Sequence, residues 1–295
     1  MAWAELTDVR CYYEVRGRGD PLLLVSGLGG TCRMWDEVAP SLSQHFSVIT
    51  FDNRGIGHSI AKRPARNLRH LAADIVELLD FLQLDRVHVL GLSLGGIIAQ
   101  RLAIDHAPRV DRLVLISCTD HFSPYLRQIT LLLAHALRRF PKEEFVRTIE
   151  LLGTAPTFLD AHAHDIERQV RAKCECAPSR GAVAAQLRCL AGSDQEPCAS
   201  ITSTPTLVLS GEHDVLVPNC YARQMAQRIP GSEFHLVRDA GHNPFYECAE
   251  RVLPVIVKFL GSGRDRGTRF AAKLRNTGDE LNANRDGSLL RSGAP

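Results

Sequence analysis

The residues most suited to chemistry lie in one short run, Gly91-Leu92-Ser93-Leu94-Gly95. A serine flanked at both second neighbours by glycine matches a strained strand-to-helix turn that lifts its hydroxyl clear of a sheet. A helix folded straight back onto its strand leaves no room for side chains at those flanking positions, and glycine also relieves strained dihedrals nearby. Ser93 is therefore a candidate nucleophile, and the chemistry would be acyl transfer. Its hydroxyl would attack a carbonyl carbon, and the oxyanion so formed would meet the free amides and positive dipole end of the following helix. The Leu94 amide would be one donor. The pentapeptide taken alone is also compatible with a plain turn between a strand and a helix.

A second glycine-rich turn, Ser26-Gly27-Leu28-Gly29-Gly30, follows the apolar run Leu22 to Val25. A phosphate loop would need a Gly-Lys-Ser/Thr ending to supply a lysine and a magnesium ligand, and none follows. The turn fits a second oxyanion donor better, with Leu28 the candidate amide. Two carboxylates follow apolar runs at comparable places: Asp120 after residues 112–117 and Asp214 after residues 206–210. His162-Ala-His164 lies about ten residues before Cys174-Glu-Cys176. That spacing matches no common zinc module, so these residues read as polar helix faces and no metal or cofactor is expected.

The elements that must hold these residues alternate along the chain. Residues 9–15, 22–25, 46–51, 87–92, 112–117, 206–210 and 233–237 are apolar or β-branched runs of strand length. Helices are predicted over residues 34–44, 68–82, 95–107 and 219–228, with a last one ending at Leu260. In 68–82 the residues Leu68, Leu71, Ala72, Ile75, Leu78, Leu79 and Leu82 form one apolar face. Such alternation predicts an α/β fold, a mostly parallel sheet with helices on both faces. It breaks off near Thr119. Residues 120–200 hold helical stretches at 125–140, 142–152 and 165–176 and no convincing strand, which predicts an inserted helical cap. The expected organisation is a core of residues 1–119 and 201–260, a cap of 120–200, and a polar tail of 261–295 that stays flexible.

Composition narrows the partners. The 295 residues are 45% hydrophobic with a net charge of +2, enough for a large core and without the basic excess of a nucleic-acid or anionic-membrane binder. No run of about 18 apolar residues suggests membrane insertion. The first residues, Met1-Ala-Trp-Ala-Glu, carry an acid where a signal peptide would carry basic residues. Nine scattered cysteines fit free thiols better than a disulfide framework, and a cytoplasmic location is expected.

From about residue 9 to 260 the chain resembles the α/β-hydrolases. The matching pieces are Ser26-Gly-Leu-Gly29, Asp52-Asn-Arg-Gly-Ile-Gly57, Gly91-Leu-Ser93-Leu-Gly-Gly96, Gly211-Glu-His-Asp214-Val-Leu-Val-Pro218 and Gly241-His242-Asn-Pro244, in that family's order. Within it the chain is most similar to small serine esterases and 3-oxoadipate enol-lactonases. One departure is Ser26, where many members carry histidine. The resemblance implies a triad of Ser93, His242 and Asp214, with Asp120 as the alternative acid. His242 would act as general base and then general acid, and the Leu28 and Leu94 amides would bind the oxyanion. Serine at position 93 excludes the alkyl-ester chemistry of dehalogenases and epoxide hydrolases of this fold, which use aspartate there. The expected function is hydrolysis of a small-molecule carboxylic ester or lactone through an acyl-enzyme. The alternatives are a serine-dependent carbon–carbon bond hydrolase and a non-catalytic hydrolase-like receptor. Eight arginines of the cap, Arg127, Arg138, Arg139, Arg147, Arg168, Arg171, Arg180 and Arg188, pose a further choice. One facing inward would select an anionic substrate, whereas eight solvated ones leave an uncharged ester or lactone as the first expectation.

Overall fold

Apolar residues on alternate strand positions point to opposite faces, and the central strands use both. The computed structural model describes residues 2–175, 178–192, 200–201 and 204–261. The expected flexible tail therefore lies, beyond Gly261, outside the described residues. The strands are β1 (Ala2–Glu5), β2 (Val9–Arg16), β3 (Pro21–Val25), β4 (Ser47–Phe51), β5 (Ile60–Ala61), β6 (Val87–Leu92), β7 (Val110–Ile116), β8 (Thr206–Gly211) and β9 (Glu233–Val237). They form one sheet in the order β1-β2-β4-β3-β6-β7-β8-β9, with β5 beside β2. Pairing is parallel from β4 through β9 and antiparallel around β2.

Leu23, Val25, Val89, Leu113 and Val208 pack on one face against α2 (Leu68–Phe81), α3 (Leu94–Asp105) and α9 (Asn219–Arg228). Leu22, Leu24, Leu90, Val114 and Leu207 pack on the other against α1 (Ala39–Leu42) and α11 (Ala249–Gly261). Each such side chain, fully withdrawn from water, contributes about 1.5–3 kcal/mol, which is why these strands read as continuous apolar runs. The helix expected over 34–44 is a 3₁₀ turn at Cys32–Trp35 followed by the short α1. Pro40, which has no N–H to donate, sits in the first turn of α1, a position that starts a helix and does not continue one.

Between β7 and β8 the chain leaves the sheet for α4 (Pro124–Arg139), α5 (Lys142–Gly153), α6 (Pro156–Ala161), α7 (Ala163–Glu175) and α8 (Arg180–Ala191). The insertion has its own apolar cluster of Leu133, Ala136, Leu137, Phe145, Val183 and Leu187, and Leu28 packs against it.

Sheet topology decides where a ligand can bind. The chain passes from β3 to β4 on one side and later to β6 on the other, so the loops after β3 and β6 diverge and leave a crevice at the carboxyl ends of the strands. Both candidate oxyanion donors stand there. Close backbone approach holds the turn: a Cβ on Gly95 would lie 2.0 Å from the Val25 carbonyl oxygen. Gly95→Ala is expected to destabilise the fold by about 3 kcal/mol. The check is the denaturation midpoint, and an unchanged midpoint would contradict this packing.

Candidate active site

Ser93 follows β6 and caps α3 with φ 55° and ψ −120°, a conformation costly for any residue with a Cβ. Hydrogen bonds hold it there: its N–H donates to the Ile116 carbonyl at 2.9 Å, and its carbonyl accepts from Ile97 N–H at 3.1 Å. Its side chain is only partly covered. Leu94 is the first residue of α3, where helical amides have no intrahelical acceptor.

The turn after β3 is braced from within. Ser26 is fully buried, and its hydroxyl donates to the Thr31 carbonyl at 3.2 Å and accepts from Trp35 Nε1 at 2.9 Å. The serine that departs from the family pattern thus ties the loop down. Gly30 N–H donates to the Gly27 carbonyl, and Gly29 N–H to Gln186 Oε1 on α8 at 2.8 Å. These bonds leave Gly29 and Gly30 engaged, and Leu28 stays the candidate oxyanion donor of this turn. Cys32, a few residues on, is no rival nucleophile. Burial, then the nearby Asp52 carboxylate, pushes its thiol up to about 12.

Asp214 and His242 meet. The loop after β8 buries the Asp214 side chain completely, and its Oδ2 lies 2.8 Å from His242 Nδ1. Its Oδ1 accepts from Val217 N–H at 2.8 Å, which fixes the carboxylate plane. In the tautomer whose Nδ1–H donates to Asp214, the imidazole presents Nε2 as a base. The histidine's own backbone is held by the insertion, because His242 N–H donates to the Gly153 carbonyl at 2.8 Å.

Asp120 is placed elsewhere. Its carboxylate takes both Nε and a terminal nitrogen of Arg228, so the second candidate acid is engaged in an ion pair. His162 stacks on Phe158 with ring centroids 4.0 Å apart, and the cluster of possible metal-ligating side chains among the described residues is Glu212, His213 and Asp239, which does not include His162, His164 or Cys174. Cys176 lies outside the described residues.

The eight insertion arginines also have definite surroundings. Arg127, Arg138, Arg139, Arg168, Arg171, Arg180 and Arg188 are exposed. Arg127 lies over the Phe122 ring, Arg147 pairs with Glu143 and Glu167, and Arg180 donates to the Leu137 and Phe140 carbonyls. None is buried. Sequence reasoning missed Gln186, Glu247 and Tyr125, whose hydroxyl donates to the Val215 carbonyl beside the acid. Each has a backbone partner far away in the chain, Gly29, Ala155 and Val215 respectively, and no local pattern marks them.

A nucleophile-type elbow, a buried Asp–His pair and a crevice at the carboxyl ends of a parallel sheet define a hydrolase of the α/β class. The chain belongs to this family: the family model described as alpha/beta hydrolase fold matches residues 20–249. Among curated proteins it is similar to RutD of Caulobacter vibrioides, whose carbamate hydrolase name is itself provisional, with 27% identity over 254 residues, 84% of this chain and 94% of that one. Among solved structures it is similar to the enol-lactonase from Burkholderia xenovorans, at 25% identity and TM-score 0.80, covering 88% of this chain and all of that one. A thermophilic esterase from Thermogutta terrifontis matches at 28% identity and TM-score 0.78 over 89% and 99% of the two chains. No helix among the described residues is long and apolar enough to cross a membrane.

Proposed function

We propose that the protein is a serine hydrolase that cleaves an uncharged, medium-sized carboxylic ester or lactone through an acyl-enzyme. The observation that carries this reading is the 2.8 Å contact of buried Asp214 with His242, on the loop beyond β9 in the sheet whose β6 is followed by the strained Ser93. In this reading His242 Nε2 takes the Ser93 proton as the hydroxyl oxygen attacks the substrate carbonyl. The tetrahedral oxyanion accepts from the Leu28 and Leu94 amides. On its collapse the imidazolium protonates the leaving alcohol, and water activated by the same histidine releases the acid. The helical insertion acts as a cap, excluding bulk water and shaping the crevice.

The test is turnover of p-nitrophenyl acetate or butyrate, with loss of activity on treatment with a serine-directed organophosphonate. Absence of both turnover and labelling would overturn the proposal. The similarity to RutD supports a second substrate class, a carbamate, which the same attack would convert to a carbamoyl-enzyme. Comparing p-nitrophenyl carbamates with esters of matched size decides between the two.

The placement of the cap arginines supports an uncharged substrate. Each is exposed or already paired, whereas recognition of a carboxylate needs an inward guanidinium with two parallel donors. The expected kcat/KM for a neutral ester is at least that of its carboxylate-bearing analogue. A preference of tenfold for the anion, about 1.4 kcal/mol of transition-state binding, that vanished on replacing one cap arginine would reverse this assignment.

A further inference from the structure

We propose that Glu247 is a positioning residue that fastens the histidine loop to the helical insertion, so that His242 is aligned only while the insertion is seated. This rests on the serine-hydrolase reading above. Glu247 ends the short helix α10 (Pro244–Glu247), one turn beyond His242, and its side chain folds back and is buried. A single oxygen, Oε2, accepts from Gly241 N–H at 2.9 Å and from Ala155 N–H at 2.8 Å. Gly241 immediately precedes His242, and Ala155 caps α6 of the insertion. The two amides come from segments 86 residues apart in the chain, and the carboxylate joins them at one point.

The surroundings point the same way. His242 N–H donates to the Gly153 carbonyl, so the segment 153–155 gives one acceptor to the histidine loop and sends one donor to Glu247. The two backbones touch: a Cβ on Gly241 would lie 2.7 Å from Ala155 N and 2.8 Å from the Gly153 carbonyl oxygen. On its other side the loop is held by His213 N–H donating to the Ala240 carbonyl. Glu247 Oε1 has no hydrogen-bond partner among the described residues. Burial raises the carboxyl pKa, while the amides of Ala155, Gly241 and Asn243 lower it. A buried carboxylate is a costly way to fill space, since leucine would bury more cheaply. What it supplies and an apolar residue cannot is one acceptor shared by the cap and the histidine loop.

A shift of about 1 Å in a catalytic group costs on the order of 10²-fold in rate, and that sets the expected effect. The probe is a fluorophosphonate, whose second-order rate of labelling Ser93 depends on activation by His242 and not on which ester or lactone is the natural substrate. Glu247→Leu removes the acceptor and is expected to slow labelling, and kcat on a p-nitrophenyl ester, by about 10²-fold, with KM changed less than threefold. Glu247→Gln keeps an oxygen for both amides and is expected to recover all but about fivefold of the rate. Should Glu247→Leu fail to fold, Glu247→Asp retains the charge but withdraws the carboxylate by one methylene, and is expected to slow labelling about tenfold. A folded Leu or Asp variant labelled at the wild-type rate would overturn the proposal, as would a Gln variant no better than Leu. Wild-type protein that takes no label would overturn the serine-hydrolase reading, and this inference with it. Labelled wild-type protein with unaffected variants would sink the inference alone.

Discussion

Ser93→Ala is expected to lower kcat on a chromogenic ester by about 10⁵–10⁶-fold, because it removes the only group that forms a covalent bond to the acyl carbon in the proposed mechanism. At about 1.4 kcal/mol per decade, that is roughly 7–8 kcal/mol of transition-state stabilisation. What would survive in that mechanism is binding and the proposed oxyanion donors, the Leu28 and Leu94 amides, which alanine leaves in place. The fold should survive as well. The residue is held by backbone hydrogen bonds to Ile116 and from Ile97, and neither depends on the hydroxyl. A second variant separates strain from chemistry. Ser93 sits at φ 55°, ψ −120°, and Ser93→Gly should relieve about 1–3 kcal/mol of backbone strain while abolishing turnover as completely as alanine does. The two measurements are steady-state kinetics and thermal melting. Near-normal turnover in either variant would remove Ser93 from the mechanism, and a glycine variant no more stable than alanine would mean that the elbow stores no strain.

Much of this was legible in the residues, for reasons that differ by element. The apolar face predicted over 68–82 corresponds to α2, and the stretches 219–228 and 233–237 to α9 and β9, because in each case burial on the sheet imposes a periodic or continuous apolar pattern. The edge strands β1 and β5 escaped. Ala2–Glu5 is covered at only one residue and Ile60–Ala61 is two residues long, so neither carries a hydrophobic pattern. In the insertion, α6 has no buried residue and α8 a weakly segregated face, and neither stands out from the chain around it. Among the site residues, the glycines around Ser93 were readable because steric exclusion acts on near neighbours in sequence. Gln186 and Glu247 were not, since each serves a backbone amide, of Gly29 in one case and of Gly241 and Ala155 in the other, and almost any sequence supplies such an amide. Ser26 is the intermediate case. Its departure from the family pattern was visible, but its role as a brace between Thr31 and Trp35 needed the structure.

Asp214→Asn is expected to lower kcat by about 10⁴-fold with KM little changed. In the proposed mechanism the carboxylate holds Nδ1–H of His242 and leaves Nε2 free to take the serine proton. An asparagine amide in the same place turns an N–H toward Nδ1, which forces the proton onto Nε2 and removes the base. The substitution is nearly isosteric, and the Val217 N–H that donates to Asp214 Oδ1 can still find the amide oxygen, so the loss should appear in turnover and not in folding. Asp120→Asn makes the contrast. Its side chain is also buried, but its carboxylate faces Arg228. The arginine is partly exposed and keeps access to water, so breaking the pair should cost about 1–2 kcal/mol of stability and less than tenfold in kcat. Two buried aspartates that each follow a parallel strand, the favoured acid and its alternative, thus have opposite expected signatures, one kinetic and one thermodynamic. If Asp120→Asn lost the activity and Asp214→Asn only the stability, the acid would belong to the loop after β7, and the 2.8 Å contact of Asp214 with His242 would be structural.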